Sequence, residues 1–364
     1  MTTPWWKEPF RLFQSNIRLT EAAFDTEAAV ALIENLGYDA WLLNAGGIGY
    51  FYPVDGEDQT LSPWLAQRPS GDLIADAVDA AHARGIRLVG RFDFSRLPTD
   101  TVRRHPEWAH LDVDGDPVTR DGLTSICPRS DFYTERVPEI LADFVRRYPV
   151  DGVIINWFQY VEISYEFEYL GLCHCERCRT AAAADPAIKV VPDPVKGVGA
   201  YGLWRAAAKR ELRALAESCD TLIKKERPGT ALFLASSPVD IVFLETNGPV
   251  GLDTGPRWWE HTPSELASAH RTARPELPAI VHSALNLGFA YRMVGDEPGQ
   301  FVRYLAQALS RGARPSAVVI GAPTEEHVAA LGAGRDVLHL YARHRDLYAW
   351  LRPAAKVALL RPGG

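Results

Sequence analysis

The sequence predicts an α/β fold of the (β/α)8 TIM-barrel class, and three observations predict it. A short apolar run, a polar loop and an amphipathic helical stretch recur along the chain, giving eight strands. The best marked of these, Gly152-Val153-Ile154-Ile155, is a continuous β-branched run of the kind covered on both faces in a parallel sheet. Polar residues collect just after the strands, at the C-terminal ends where barrels of this class build their sites.

The elements follow in order. Arg11–Leu19 is the first strand and carries Asn16 and Arg18 near its end; Thr26–Leu36 is a helix with Ala29, Leu32, Ile33 and Leu36 on one stripe and Gly37 as its stop. Asp39–Leu43 is the second strand and runs into the glycine-rich, aromatic loop NAGGIGYFYP, which holds Asn44 and Tyr52. The helix Leu73–Arg84 leads to the third strand, Ile86–Gly90, and on into Arg91-Phe92-Asp93-Phe94-Ser95. A segment with Trp108 and the turn-like Asp112–Asp116 has room for a small hairpin. Tyr133–Tyr148 is helical, and Gly152–Ile155 is the fourth strand. An irregular stretch, Asp185–Val198, precedes the long helix Gly202–Arg227. Thr230–Ala235 and Asp240–Leu244 are strands five and six, the latter ending in Glu245-Thr246-Asn247. Ser264–Thr272 is helical, Pro278–Ser283 is strand seven with His282, Gly299–Arg311 is helical, Ser316–Gly321 is strand eight, and Glu325–Leu347 closes the barrel. The barrel thus takes residues 1–350, with 351–364 as a stub whose Lys356–Leu360 reads as the first strand of a further unit.

Composition narrows the function classes. The chain has 364 residues, 47% hydrophobic and 23% charged, which is enough for a large core. A net charge of −7 without a basic block argues against nucleic acid, and no apolar run is long enough for a membrane span. The first residues lack the pattern of a secretion signal, and the cysteines suit a metal site better than a disulfide framework, so a cytoplasmic protein is expected.

The strand ends carry Asn16, Arg18, Asn44, Arg91, Asp93, Asn156, Gln159, Ser236, Glu245, Asn247 and His282, followed by a loop with Asn286, Tyr291 and Arg292. No phosphate-cradling or dinucleotide-binding glycine motif is among them, nor a His/Asp cluster dense enough for a catalytic metal. Asp93 and Glu245 are two carboxylates on different strands of one barrel mouth, the pair that hydrolysis of an O-glycosidic bond requires. Glu245 is the candidate general acid/base, and Asp93 the candidate nucleophile or water-activating base. Arg91, Asn44, Asn156, His282 and Arg292 would bind a carbohydrate substrate, with Tyr52, Trp157, Trp258 and Trp259 as stacking faces. Glu162 and Glu166 are the loop carboxylates nearest strand four. Two bland readings compete: Asp93 pairs with Arg91, or the barrel binds a saccharide or a regulatory partner without hydrolysing anything.

Cys173-x-Cys175-x2-Cys178 has the spacing of a zinc site, and Cys127, in the loop after strand three, is the best fourth ligand. Four filled positions would make the zinc structural. His174 is the weaker choice, and Cys219 reads as core.

These residues carry a resemblance. CHCERCR after strand four, with CPRS after strand three, looks like the zinc site of family 42 β-galactosidases. The whole chain more closely resembles the bacterial group called hypothetical glycosyl hydrolase 6. The matching pieces are NIR, NAGGIGYFYP, GDL with AHARGI, RFDFS, HPEW, CP, YPVDGVIIN, CHCERCR, LETN and YR, in the expected order over roughly residues 15–345. The resemblance implies a glycosidase-type barrel. It also implies that KVALLRPGG looks like the start of a domain similar to the β-galactosidase trimerisation domain, and with it a homo-oligomer. One departure stands out. Family 42 enzymes close strand four with an Asn-Glu pair whose Glu is the acid/base, whereas here Trp157 follows Asn156. In fucosidase- and galactosidase-like barrels the strand-four nucleophile is an Asp, and Asn156 takes that place too.

Overall fold

A computed structural model describes residues 3–164, 168–235, 239–246, 258–286, 294–295, 297–324, 328–352 and 354–357; the side chains of 258–259, 328–330 and 350 lie outside that description. Eleven strands are described. Eight of them close a parallel barrel: β1 (Leu12–Asn16), β2 (Ala40–Gly47), β3 (Arg87–Asp93), β7 (Gly152–Asn156), β8 (Ala231–Leu234), β9 (Ile241–Thr246), β10 (Ala279–Ala284) and β11 (Arg314–Ile320). Going round, the order is β1-β11-β10-β9-β8-β7-β3-β2, so neighbours in sequence are neighbours in space. The other three, β4 (Arg96–Pro98), β5 (Thr119–Arg120) and β6 (Leu123–Ser125), form a small antiparallel sheet in the excursion after β3, in the order β4-β6-β5.

Helices begin and end where local chemistry dictates. Asp25 caps α1 (Thr26–Asn35) by accepting from the Ala28 amide at 3.1 Å, and Asp72 caps α2 (Leu73–Ala83) through Ala75 at 2.9 Å. Past the end of α1, Gly37 takes φ +92°, a left-handed conformation that side chains rarely adopt. The remaining helices are α3 (Thr99–Arg104), α4 (Val137–Arg147), α5 (Glu176–Ala184), α6 (Val198–Glu226), α7 (Thr262–Ala273), α8 (Pro298–Ser310), α9 (Val328–Arg343) and α10 (Arg345–Trp350).

Three features differ from the sequence reading. The helix expected from Tyr133 opens as a π-turn over Phe132–Arg136 before α4. α5 falls in a stretch where the cysteines masked an alanine-rich helical run. Between β8 and β9 only residues 235–240 intervene. Phe233 pairs with Ile241, and no helix stands between β8 and β9 among the described residues, as the sequence reading has it for strands five and six. Lys356 and Val357 are not in a strand, and residues 358–360 lie outside the described residues.

The strand period of two sorts the barrel. Leu12, Leu42, Val89, Ile154, Phe233, Ile241, Phe243 and Ile280 point inward and pack as one apolar cluster, plugged at the N-terminal end by Trp6 and Phe10. Each such side chain contributes about 1.5–3 kcal/mol when fully buried. Phe13, Trp41, Leu43, Leu88, Val153 and Ile155 point outward into the larger cluster under the helices. Continuing the inward parity toward the C-terminal ends reaches Asn16, Asn44, Arg91, Asp93, Asn156, Glu245 and His282. The apolar floor therefore hands over to a polar mouth within the same eight strands.

Candidate functional site

Register brings the polar ends together. Asp93 on β3 pairs with Asn156 on β7, and Glu245 on β9 with His282 on β10. The Asp93 carboxylate, 5% exposed, is an acceptor in all its contacts. Its Oδ1 takes hydrogen bonds from the Ser95 amide at 3.1 Å and the Ser95 hydroxyl at 2.6 Å. Its Oδ2 takes one from Asn156 Nδ2 at 3.0 Å and lies 3.8 Å from Arg91 Nη2. The β2–loop junction presses on this group. Gly47 has φ +103°, and a Cβ there would stand 2.0 Å from the Asp93 carbonyl oxygen, so only glycine fits.

Glu245 differs in kind. Its side chain is open to solvent, yet it stands in a mouth walled by protein, and the desolvation raises its carboxyl above the usual range. Arg91 opposes that shift and Asp93 adds to it, so the three groups share one electrostatic environment. His282 is buried beside them. Its Nδ1 is 2.5 Å from Ser316 Oγ, its ring centroid is 4.8 Å from that of Phe243, and its Nε2 has no hydrogen-bond partner among the described residues. Burial, reinforced by Arg91, pushes its pKa down to about 3, so the ring is neutral near pH 7.

A stability effect follows from His282. Below its unfolded pKa the unfolded chain binds a proton that the folded chain refuses, so stability falls as pH drops from 6.5 toward about 3. One such group contributes a slope of up to about 1.4 kcal/mol per pH unit. Urea unfolding of His282→Asn is expected to show a shallower acid loss than the wild type; identical slopes would contradict this.

The other expected binding residues divide. Asn44 ties β1 to β2, donating to Asn16 Oδ1 at 3.2 Å and accepting from the Ile17 amide at 3.1 Å. Tyr52 is corrected: it is 1% exposed, wedged among Tyr50, Phe144 and Tyr148, and has no face to offer a sugar. A glycine-rich aromatic loop reads the same whether its rings line a mouth or fill a core. Trp157 is half-buried with φ +51°. Glu162 accepts from Tyr201 Oη at 2.6 Å, which holds it against α6. Arg292, Ser236, Asn247, Tyr291, Glu166 and the side chains of Trp258 and Trp259 lie outside the described residues. Ser95 and Ser316 were missed. Ser95 could have been found as the hydroxyl two residues beyond Asp93, but the Ser316 contact needs the β10–β11 register.

Cys127, Cys173, Cys175 and Cys178 converge, all buried, with their sulfurs within 4.8 Å of one another. Cys127 Sγ is 3.5 Å from Cys178 Sγ and 3.6 Å from Cys175 Sγ. A tetrahedral ion with metal–sulfur bonds of about 2.3 Å would set its sulfurs about 3.8 Å apart, so the cluster fits a metal ion. Cys175 precedes the first residue of α5 and Cys178 sits in its first turn, so one helical turn presents two sulfurs to Cys127 from the β3 excursion. Hydrogen bonds from Cys127, then Cys173 and Cys178, pull the Cys175 thiol down. Arg129 Nη1 lies 3.4 Å from Cys178 Sγ, with its other arm on Glu211 at 2.9 Å and its plane over Tyr160 and Trp204. His174 is not among the four; its amide bonds the Leu111 carbonyl. Cys219 is buried on α6.

The eight strands close a parallel (β/α)8 barrel with a polar mouth, and TIM-barrel glycosidases are among the solved structures that share this fold. The sequence model of the family described as hypothetical glycosyl hydrolase 6 matches residues 25–157. No curated protein matches the chain by sequence. α-L-Fucosidase isoenzyme 2 from Paenibacillus thiaminolyticus is similar over 92% of this chain and 50% of its own, with a TM-score of 0.68 and 15% identity. Gan42B, a GH42 β-galactosidase from G. stearothermophilus, is similar over 96% of this chain and 59% of its own, with a TM-score of 0.69 and 12% identity. The catalytic domain of β-amylase from Paenibacillus polymyxa is similar over 90% of this chain and 97% of its own, with a TM-score of 0.61 and 12% identity. The chain thus spans little more than half the length of the fucosidase and the galactosidase. At these identities the likeness is one of fold.

Proposed function

We propose that the chain is a glycoside hydrolase that cleaves an O-glycosidic bond at the C-terminal mouth of the barrel. The observation that carries this is a pair of unlike carboxylates in one mouth. Glu245 is raised and solvent-accessible, suited to donate a proton to the leaving oxygen. Asp93 is held by donors on both oxygens, suited to face a developing positive charge at the anomeric carbon or to activate water. Arg91 and Asn156 orient Asp93 and border the space where sugar hydroxyls would lie. A screen of aryl glycosides and oligosaccharides tests the proposal: turnover that Glu245→Gln abolishes supports it, and a complete panel without turnover overturns it.

A second reading has its own observation. Both oxygens of Asp93 already accept hydrogen bonds within the protein, and strand four ends in Asn156 and Trp157, where the barrels it resembles keep a carboxylate. A barrel that binds saccharide without cleaving it would show calorimetric binding and no product.

We further assign the cysteine cluster to a structural zinc. Four thiolates would fill the coordination sphere and leave no place for a reacting water, so the ion's part is to clamp the β3 excursion to the segment after β7. Arg129 would offset the charge of the tetrathiolate through Cys178. Arg129→Met is expected to speed zinc loss to a chromogenic chelator by about 10–100-fold, the range typical of outer-shell changes. An unchanged release rate would remove Arg129 from the site.

A further inference from the structure

Beside the barrel mouth lies a cleft that the catalytic reading does not use. Its walls are the small β4-β6-β5 sheet and the segment after β7. Trp157, Val161, Ile163 and Leu170 give it an apolar surface, and Arg120 and Glu168 meet across it at 2.6 Å. Backbone bonds tie residues 162–164 to 168–170: Ser164 N donates to the Glu168 carbonyl and Leu170 N to the Glu162 carbonyl, both at 2.8 Å. The volume is about 220 Å³, below the roughly 300–1,000 Å³ of sites for drug-sized ligands, and suits a single ring.

Both walls spring from the candidate site. Trp157 follows Asn156 directly, and Arg96, another lining residue, comes three positions after Asp93. Strand alternation would send residue 157 outward under the helices. Its φ of +51° breaks the alternation, and the indole lines the cleft instead. A non-glycine residue in that region costs on the order of 1–3 kcal/mol, and such strain clusters at ligand sites. Ile163 is likewise 48% exposed on the cleft side, a large apolar chain left facing solvent. An apolar floor with a charged rim matches a pyranose ring, whose CH face stacks on indole while its hydroxyls meet Arg and Glu.

We propose that this cleft is a second sugar subsite, which takes the ring bonded to the one held in the barrel mouth. It rests on the glycoside-hydrolase reading for what fills the mouth, but not for turnover. The protein would then prefer a saccharide of two or more units to a monosaccharide.

The test is calorimetric binding in a Glu245→Gln background, across a panel of monosaccharides and their matching di- and trisaccharides. The best disaccharide is expected to bind at least about tenfold more tightly than its monosaccharide, a difference within the range of one aromatic stacking contact. Trp157→Ala, and independently the exposed Ile163→Glu, should bring that ratio toward one, while Trp157→Phe keeps most of it. Thermal unfolding checks that each variant is folded. A ratio unmoved by Trp157→Ala and Ile163→Glu, or a panel in which no longer saccharide binds better, overturns the subsite. If the ratio collapses as expected while the wild type cleaves nothing, the subsite stands and the hydrolase reading falls.

Discussion

Glu245→Gln is expected to lower turnover of a cleavable glycoside by about 10²–10⁴-fold, the usual cost of losing a general acid. Glutamine keeps the shape and hydrogen-bonding reach of the side chain, so folding and saccharide binding should persist. The pH profile gives the sign. Because desolvation raises the Glu245 carboxyl, its protonated form survives to higher pH than that of an ordinary glutamate, and activity is lost as pH rises through that raised value. The alkaline limb of kcat should therefore belong to Glu245 and vanish in the glutamine variant. An alkaline limb that remains in the variant would assign the acid elsewhere. His282, neutral from about pH 4 upward given its depressed value, should leave no limb of its own in the working range.

The second large effect is expected at the cysteine cluster. Cys127→Ser removes the one ligand that comes from the β3 excursion, leaving three from a single segment after β7. Structural zinc binding is worth on the order of 10 kcal/mol in small zinc domains, and a serine oxygen replaces a thiolate poorly. Zinc content should fall from about one per chain toward zero, with an apparent unfolding temperature lower by on the order of 10 °C. Elemental analysis and calorimetry measure both. Full zinc retention in Cys127→Ser would exclude Cys127 as a ligand. Because β4 and β6 flank both Asp93 and the cleft, activity should fall along with the zinc, even though the ion touches no substrate.

How much of this could be read from the sequence depended on whether the signal was local. All eight barrel strands were visible because each is a short apolar run between polar loops, and the C-terminal parity that gathers Arg91, Asp93, Asn156, Glu245 and His282 needs only counting by twos. The cysteine site was legible because a CxC followed three positions on by a third cysteine has few other uses, and Cys127 was reachable once the neighbouring strands were ordered. Contacts that depend on register across strands or on packing were not legible. Ser316 meets His282 only because β10 and β11 align those positions, and Arg129 reaches Cys178 from another loop. Tyr52 was misread since its burial is set by Phe144 and Tyr148, far along the chain. Trp157 was seen as an aromatic face, but its left-handed backbone, which turns it into the cleft, has no signature in residue type.

Leaving-group dependence measures most directly whether Glu245 donates the proton to the departing oxygen. Once the sugar is known, turnover of its dinitrophenyl and methyl glycosides should be compared in the wild type and in Glu245→Gln. A dinitrophenolate needs no proton to depart, so the variant should keep most of its activity on that substrate while losing about 10²-fold or more on the methyl glycoside. Equal losses on both substrates, or none on either, would contradict the assignment.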